Sequence, residues 1–151
     1  MESIFRTLRT SRKLYSDFLD KYPLDQLNKV PEGFSNNLIW NIGHIIVAQQ
    51  SLIYASSGLE TYISDELVDL YKPGTKPSGQ ATESDVKEIK ALLMSLVDKT
   101  EADFTQGKFV TYNERMTRTG FYLSSLTDAF EFNNYHEGIH LGYMMSIRKF
   151  V

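Results

Sequence analysis

Leu38-Ile39-Trp40-Asn41-Ile42-Gly43-His44-Ile45-Ile46-Val47-Ala48-Gln49-Gln50-Ser51-Leu52-Ile53-Tyr54 is the most apolar stretch of the chain, and its reading decides the fold. Its hydrophobic residues cover most of the circumference of a helix, so such a helix must be buried by others on nearly every side. Asn41, His44, Gln49, Gln50 and Ser51 interrupt it too often for a membrane span. The helix is expected to begin after the loop Pro31-Glu32-Gly33-Phe34, capped by Ser35 or Asn36, and to run to about Ser57-Gly58.

Three further stretches can supply the walls around it. Ile4, Leu8, Tyr15, Phe18 and Tyr22 recur at helical spacing, and Pro23 ends that helix. The basic row Arg6, Arg9, Arg12 and Lys13 reads as a solvated face. Thr82-Glu83-Ser84-Asp85 fits a capping box, followed by the one-sided stripe Val86, Ile89, Leu93, Leu96, Val97 and Phe104 and a stop at Gly107. Ser125 to Asp128 offers a second capping box, and Ala129, Phe132, His136, Ile139, His140, Tyr143 and Ile147 are expected to form the seam of the last helix.

Between these stretches, residues 59–80 read as a long connection, with a short helix from Asp65 to Tyr71 and turn chemistry from Pro73 to Gly79. Residues 108–122 lack periodicity. Their one strand-like run, Phe109-Val110-Thr111-Tyr112, has no partner. The expectation is an all-α chain, a four-helix bundle with long inter-helix connections, and a single domain over residues 1–151.

Composition narrows the function. Sixteen Lys plus Arg against 19 Asp plus Glu leave a formal net charge of −3, which gives no bulk attraction to nucleic acid or an anionic membrane. The absence of cysteine excludes disulfides, thiolate metal sites and a cysteine nucleophile. Met1-Glu2-Ser3-Ile4-Phe5-Arg6 does not read as a signal peptide, so the reducing cytoplasm is the expected location.

The chain has three histidines. His136 and His140 are four residues apart and project from one helix face, a spacing that suits two imidazoles on one metal ion. His44 lies midway along the most buried helix and can complete the set if the second and fourth long helices face each other. Three neutral imidazoles leave a divalent ion open to water or to a substrate thiol, and all-nitrogen ligation suits zinc, nickel, iron or copper.

His136-Glu137-Gly138-Ile139-His140 also matches the H-E-x-x-H helix of metalloproteases. Residues 141–151 contain no His, Asp or Glu to act as the third ligand, and Ser146 stands where the extended motif needs histidine. Glu137 remains the candidate general base; otherwise it is a solvated surface carboxylate. Asn41 and Asn133 are candidates to orient an imidazole or a substrate. Tyr143 reads as a pocket wall and Trp40 as core packing.

Trp40-Asn41-Ile42-Gly43-His44, followed much later by His136-Glu137-Gly138-Ile139-His140-Leu141-Gly142, resembles the DinB/YfiT-like superfamily over essentially the full length. The resemblance implies a four-helix bundle, often a homodimer, with a histidine triad holding a divalent metal (zinc, nickel or iron). By position, His44, His136 and His140 match that triad. The implied activity is transfer of a low-molecular-weight thiol or hydrolysis of a small substrate. The alternative is a non-enzymatic metal- or ligand-binding stress-response protein. For a homodimer, the interface is expected on an apolar face of the first or third long helix.

Overall fold

The computed structural model describes residues 1–151. Six α-helices follow one another: α1 (Glu2–Lys21), α2 (Leu24–Asn28), α3 (Leu38–Ile53), α4 (Asp65–Tyr71), α5 (Glu83–Thr105) and α6 (Leu126–Ile147). A 3-10 turn at Ala55–Ser57 extends α3, and Gly58 closes it with φ at +71°. The sheet content is one antiparallel hairpin, β1 (Arg115–Met116) and β2 (Tyr122–Leu123), in register Arg115 to Leu123 and Met116 to Tyr122. No helix is long and apolar enough to cross a membrane.

The chain is all-α, and its four long helices pack as a bundle. Around the ring, α1 meets α5, α5 meets α3, α3 meets α6, and α6 returns to α1. Helix α3 is buried along nearly its whole length, as an all-round apolar helix must be. Its cap is Asn37, whose side chain accepts from the Trp40 amide, one residue beyond the expected Asn36. Thr82 and Asp85 form the reciprocal capping box of α5. At α6, Ser125 accepts from the Asp128 amide, but the Asp128 carboxylate turns to Ser124 instead of closing a second box.

The structure adds to or alters the sequence reading at three places. The short helix α2 follows Pro23 directly, because proline suits a helix start as well as a stop. Phe109 to Tyr112 forms no strand: Thr111 and Asn113 instead donate to the Ser57 and Ser56 carbonyls, and the hairpin forms further on. Finally, the buried face of α6 runs through Ala129, Phe130, Asn133, Glu137, Met144 and Ile147, while Ile139 is half exposed. The true face contains two polar residues, Asn133 and Glu137, so an apolar criterion rotates the helix the wrong way. His136 and His140 consequently sit at the edge of the buried face, where solvent can reach them.

Candidate metal centre

Helices α3 and α6 bring His44, His136 and His140 together: one ligand nitrogen from each lies within 4.8 Å of the others. Ring centroids are 4.6 Å apart for His136 and His140, 4.7 Å for His44 and His140, and 5.3 Å for His44 and His136. His44 is buried; the other two are partly exposed. Burial lowers the pKa of all three. Neighbouring imidazoles add to the effect, so His136 falls to about 4 and His140 to about 3. At neutral pH each ring is uncharged and keeps a nitrogen lone pair, the state that ligates metal.

The hydrogen bonds select which lone pair is free. His44 Nδ1 lies 2.7 Å from the Tyr71 carbonyl oxygen, which can only accept, so Nδ1 carries the proton and Nε2 is bare. His140 Nδ1 lies 2.8 Å from Asn41 Oδ1. The orientation of that amide is fixed at its other end, where Asn41 Nδ2 donates to Asn36 Oδ1 at 2.9 Å and to the Asn37 carbonyl at 2.7 Å. His140 therefore donates from Nδ1 and presents Nε2.

The ring of His136 is held differently, by stacking on Phe132 at 5.8 Å and 22°. Its Nδ1 is buried without a partner, and its Nε2 stands 3.2 Å from His140 Nε2. Nitrogens ~2.1 Å from a common ion would be ~3.0 Å apart at a right angle and ~3.4 Å at the tetrahedral angle. The observed separation falls between these values. The donor set fits a divalent transition metal.

Beside His44, Trp40, Asn41 and Gly43 of the early motif each have a task in this arrangement. Trp40 stacks on His44 with centroids 4.8 Å apart and planes at 11°, and its indole Nε1 donates to Thr75 Oγ1 at 3.2 Å. Asn41 orients His140. Gly43 admits the Tyr71 ring, which lies where a Cβ would stand; the ring carbons would be 2.5 to 2.7 Å from it. That close approach accompanies the Tyr71 carbonyl's contact with His44. The sequence reading missed Tyr71, because a backbone acceptor has no residue-type signature.

Glu137 is not part of the cluster. Its carboxylate is fully buried and receives Arg12 Nε at 3.0 and 3.1 Å and Arg12 Nη2 at 2.8 Å. Asn133 Nδ2 adds a bond at 3.0 Å, so Asn133 serves this carboxylate and not an imidazole. Both expectations for Glu137, general base and solvated surface group, are corrected, as is the solvated reading of Arg12. Arg9 of the same basic row pairs with Asp98 and Glu101. Tyr143 packs against Phe34 beside the core, at 5.5 Å.

A cleft of about 240 Å³ opens onto His44 and His136, with Leu52, Phe132 and Pro73 as apolar lining and Arg115 and Arg118 from the hairpin segment. A second cavity of about 230 Å³ borders Trp40 and Tyr71 but no histidine.

A helical bundle with three inward-turned imidazoles on two facing helices is compatible with a metal-binding protein. The profile of the DinB superfamily matches residues 7–144, and the chain belongs to that superfamily. No curated protein matches it at significant similarity.

Proposed function

We propose that the protein is a metal-dependent enzyme. His44, His136 and His140 hold one divalent transition ion (zinc, nickel or iron), and the reaction is transfer of a low-molecular-weight thiol or hydrolysis of a small substrate. The observation that carries this reading is the pinning of two Nδ1 protons, by Tyr71 and Asn41, which leaves both Nε2 lone pairs free in a cluster whose ligand nitrogens lie within 4.8 Å of one another. A bound ion of this kind lowers the pKa of a coordinating thiol or water, supplying the nucleophile that a chain without cysteine lacks.

The chain's own residues orient and enclose. Trp40 and Phe132 cover one face each of His44 and His136, limiting water there. No carboxylate lines the adjoining cleft, so no side-chain base of that type is available to a bound substrate. That feature favours the second reading, binding of a metal or ligand in a stress response without turnover.

Two measurements separate these readings. Metal analysis of protein purified without a histidine tag should find close to one equivalent after zinc incubation. A turnover screen of the loaded protein, pairing thiols with electrophiles beside simple esters and amides, should then find a substrate. Metal without turnover across the screen supports the binding reading, and less than a tenth of an equivalent of metal, even after incubation with zinc or nickel, removes the enzyme reading and favours a non-enzymatic ligand-binding protein.

The proposal takes residues 1–151 as one domain working in the reducing cytoplasm as a homodimer. The exposed apolar residues Tyr135, Ile139 and Met145 of α6, with Phe121 beside them, offer more interface than the expected first or third long helix: within α1 Leu14 is the main exposed apolar residue, and α5 exposes no large one. Sedimentation as a monomer at tens of micromolar would count against the dimer.

A further inference from the structure

The cleft beside the histidines carries a charge pattern that metal binding does not use. Arg115 and Arg118 both line it, and neither aspartate nor glutamate does. The three arginines of α1 each face a carboxylate: Arg6 with Glu2, Arg9 with Asp98 and Glu101, Arg12 with Glu137. Arg115 and Arg118 have no such partner. Arg115 Nη1 donates to the neutral Ser56 Oγ at 3.3 Å. Arg118 lies over Gly74, where a Cβ would come within 3.1 Å of its Nη1.

The tip that carries Arg118 is held by its own bonds. The Gly120 amide donates to the Thr117 carbonyl at 3.1 Å, and the Phe121 amide donates to Thr117 Oγ1 at 2.9 Å. Both side chains are exposed at the cleft, where they raise its local positive potential, and in a chain of net charge −3 a general basic character does not explain them. An anionic group bound there gains charge-assisted hydrogen bonds from both guanidinium groups.

We propose that Arg115 and Arg118 form an anion subsite in the histidine cleft. The small molecule bound there carries a carboxylate or phosphate group toward the hairpin and an apolar body against Leu52 and Phe132. The inference deepens the proposed function, since it takes that cleft as the substrate site, but the subsite consists of residues that do not ligate the ion.

The test therefore uses metal-free protein. Benzoate, phenyl phosphate and the neutral benzyl alcohol are titrated by calorimetry into wild type, Arg115→Gln, Arg118→Gln and the remote control Arg6→Gln. At least one of the two anions should bind more tightly than benzyl alcohol. Each cleft substitution should weaken that binding about tenfold, on the scale of one charge-assisted hydrogen bond, and Arg6→Gln should leave it unchanged. The preferred anion identifies the head group. Anion binding equal to that of benzyl alcohol, or indifferent to both cleft substitutions, overturns the proposal. Zinc content measured on the same variants separates the two readings: a wild type that binds anion through the arginines but no zinc refutes the metal reading alone, and normal zinc content with no arginine effect refutes the subsite alone.

Discussion

On α6 the imidazole of His136 and the carboxylate of Glu137 are one residue apart, about 100° of helix rotation, and they meet opposite environments. The Glu137 carboxylate is fully buried and surrounded by donors from Arg12 and Asn133, while Arg12 Nη2 also reaches the Ile45 carbonyl at 3.3 Å. That ion pair ties α1, α3 and α6 together. His136, at the edge of the same face, has a buried Nδ1 with no partner and an Nε2 directed at another imidazole nitrogen. The Glu137 oxygens are satisfied and fix structure, while Arg12 Nη1 and Asn133 Oδ1 beside them lack partners; a set of unsatisfied imidazole lone pairs on one cluster invites a ligand instead. Neighbouring residues thus divide the work: Glu137 sets the rotation of α6, and that rotation delivers His136 and His140 to His44.

The division makes its strongest prediction at the ion pair. Glu137→Gln leaves the Arg12 charge buried without its counter-charge and should destabilise the fold by about 3–5 kcal/mol, measured by urea denaturation of metal-free protein. Replacing both partners, Arg12→Met with Glu137→Leu, should recover most of that loss. If Glu137→Gln is as stable as wild type, the structural role assigned to this carboxylate is wrong. Next in size, Asn41→Ala removes the acceptor that orients His140, and zinc affinity should fall by ~10–100-fold. Unchanged affinity in a calorimetric titration would mean that the hydrogen bond does not select the tautomer.

Gly43→Ala forces a Cβ into the Tyr71 ring. Such overpacking should cost about 1–3 kcal/mol and weaken zinc binding with it, since Tyr71 holds His44. A thermal melt matching wild type would show that the ring moves aside freely. A further prediction concerns pH. The metal-free histidines have folded-state pKa values below the usual 6.5, about 4 for His136 and about 3 for His140. Above 6.5 folded and unfolded chains are equally neutral there. As pH falls from 6.5 toward 4 the unfolded chain takes up protons first, so stability is lost on acidification across that window. His136→Gln with His140→Gln should flatten this slope, and a slope identical to that of wild type would place the proton uptake elsewhere.

Much of this was legible in the sequence, for identifiable reasons. The long helices and α4 follow from apolar spacing, Pro23, Gly107 and the caps at Thr82 and Ser125. The histidine grouping follows from i, i+4 spacing plus a third histidine on the most buried helix. The ion pair was not read, although a signal for it existed. Phe5, Leu8, Tyr15 and Leu19 are buried, and Arg12 fills the one gap in their alternating spacing of three and four. Asn133 and Glu137 similarly continue the buried spacing of α6 through polar residue types. A polar residue at a core position is invisible to an apolar criterion until its partner on another helix is known. The hairpin escaped notice because its strands have two residues each, too few for an alternating pattern.

The central claim is that α3 and α6 jointly build one metal centre, and X-ray absorption at the zinc edge on untagged, zinc-loaded protein tests it most directly. The account predicts one zinc per chain with three imidazole nitrogens at ~2.0–2.1 Å, and in His44→Ala a folded protein whose bound zinc is largely lost. Full zinc retention by His44→Ala, with an unchanged imidazole count, would contradict it and assign the site to α6 alone.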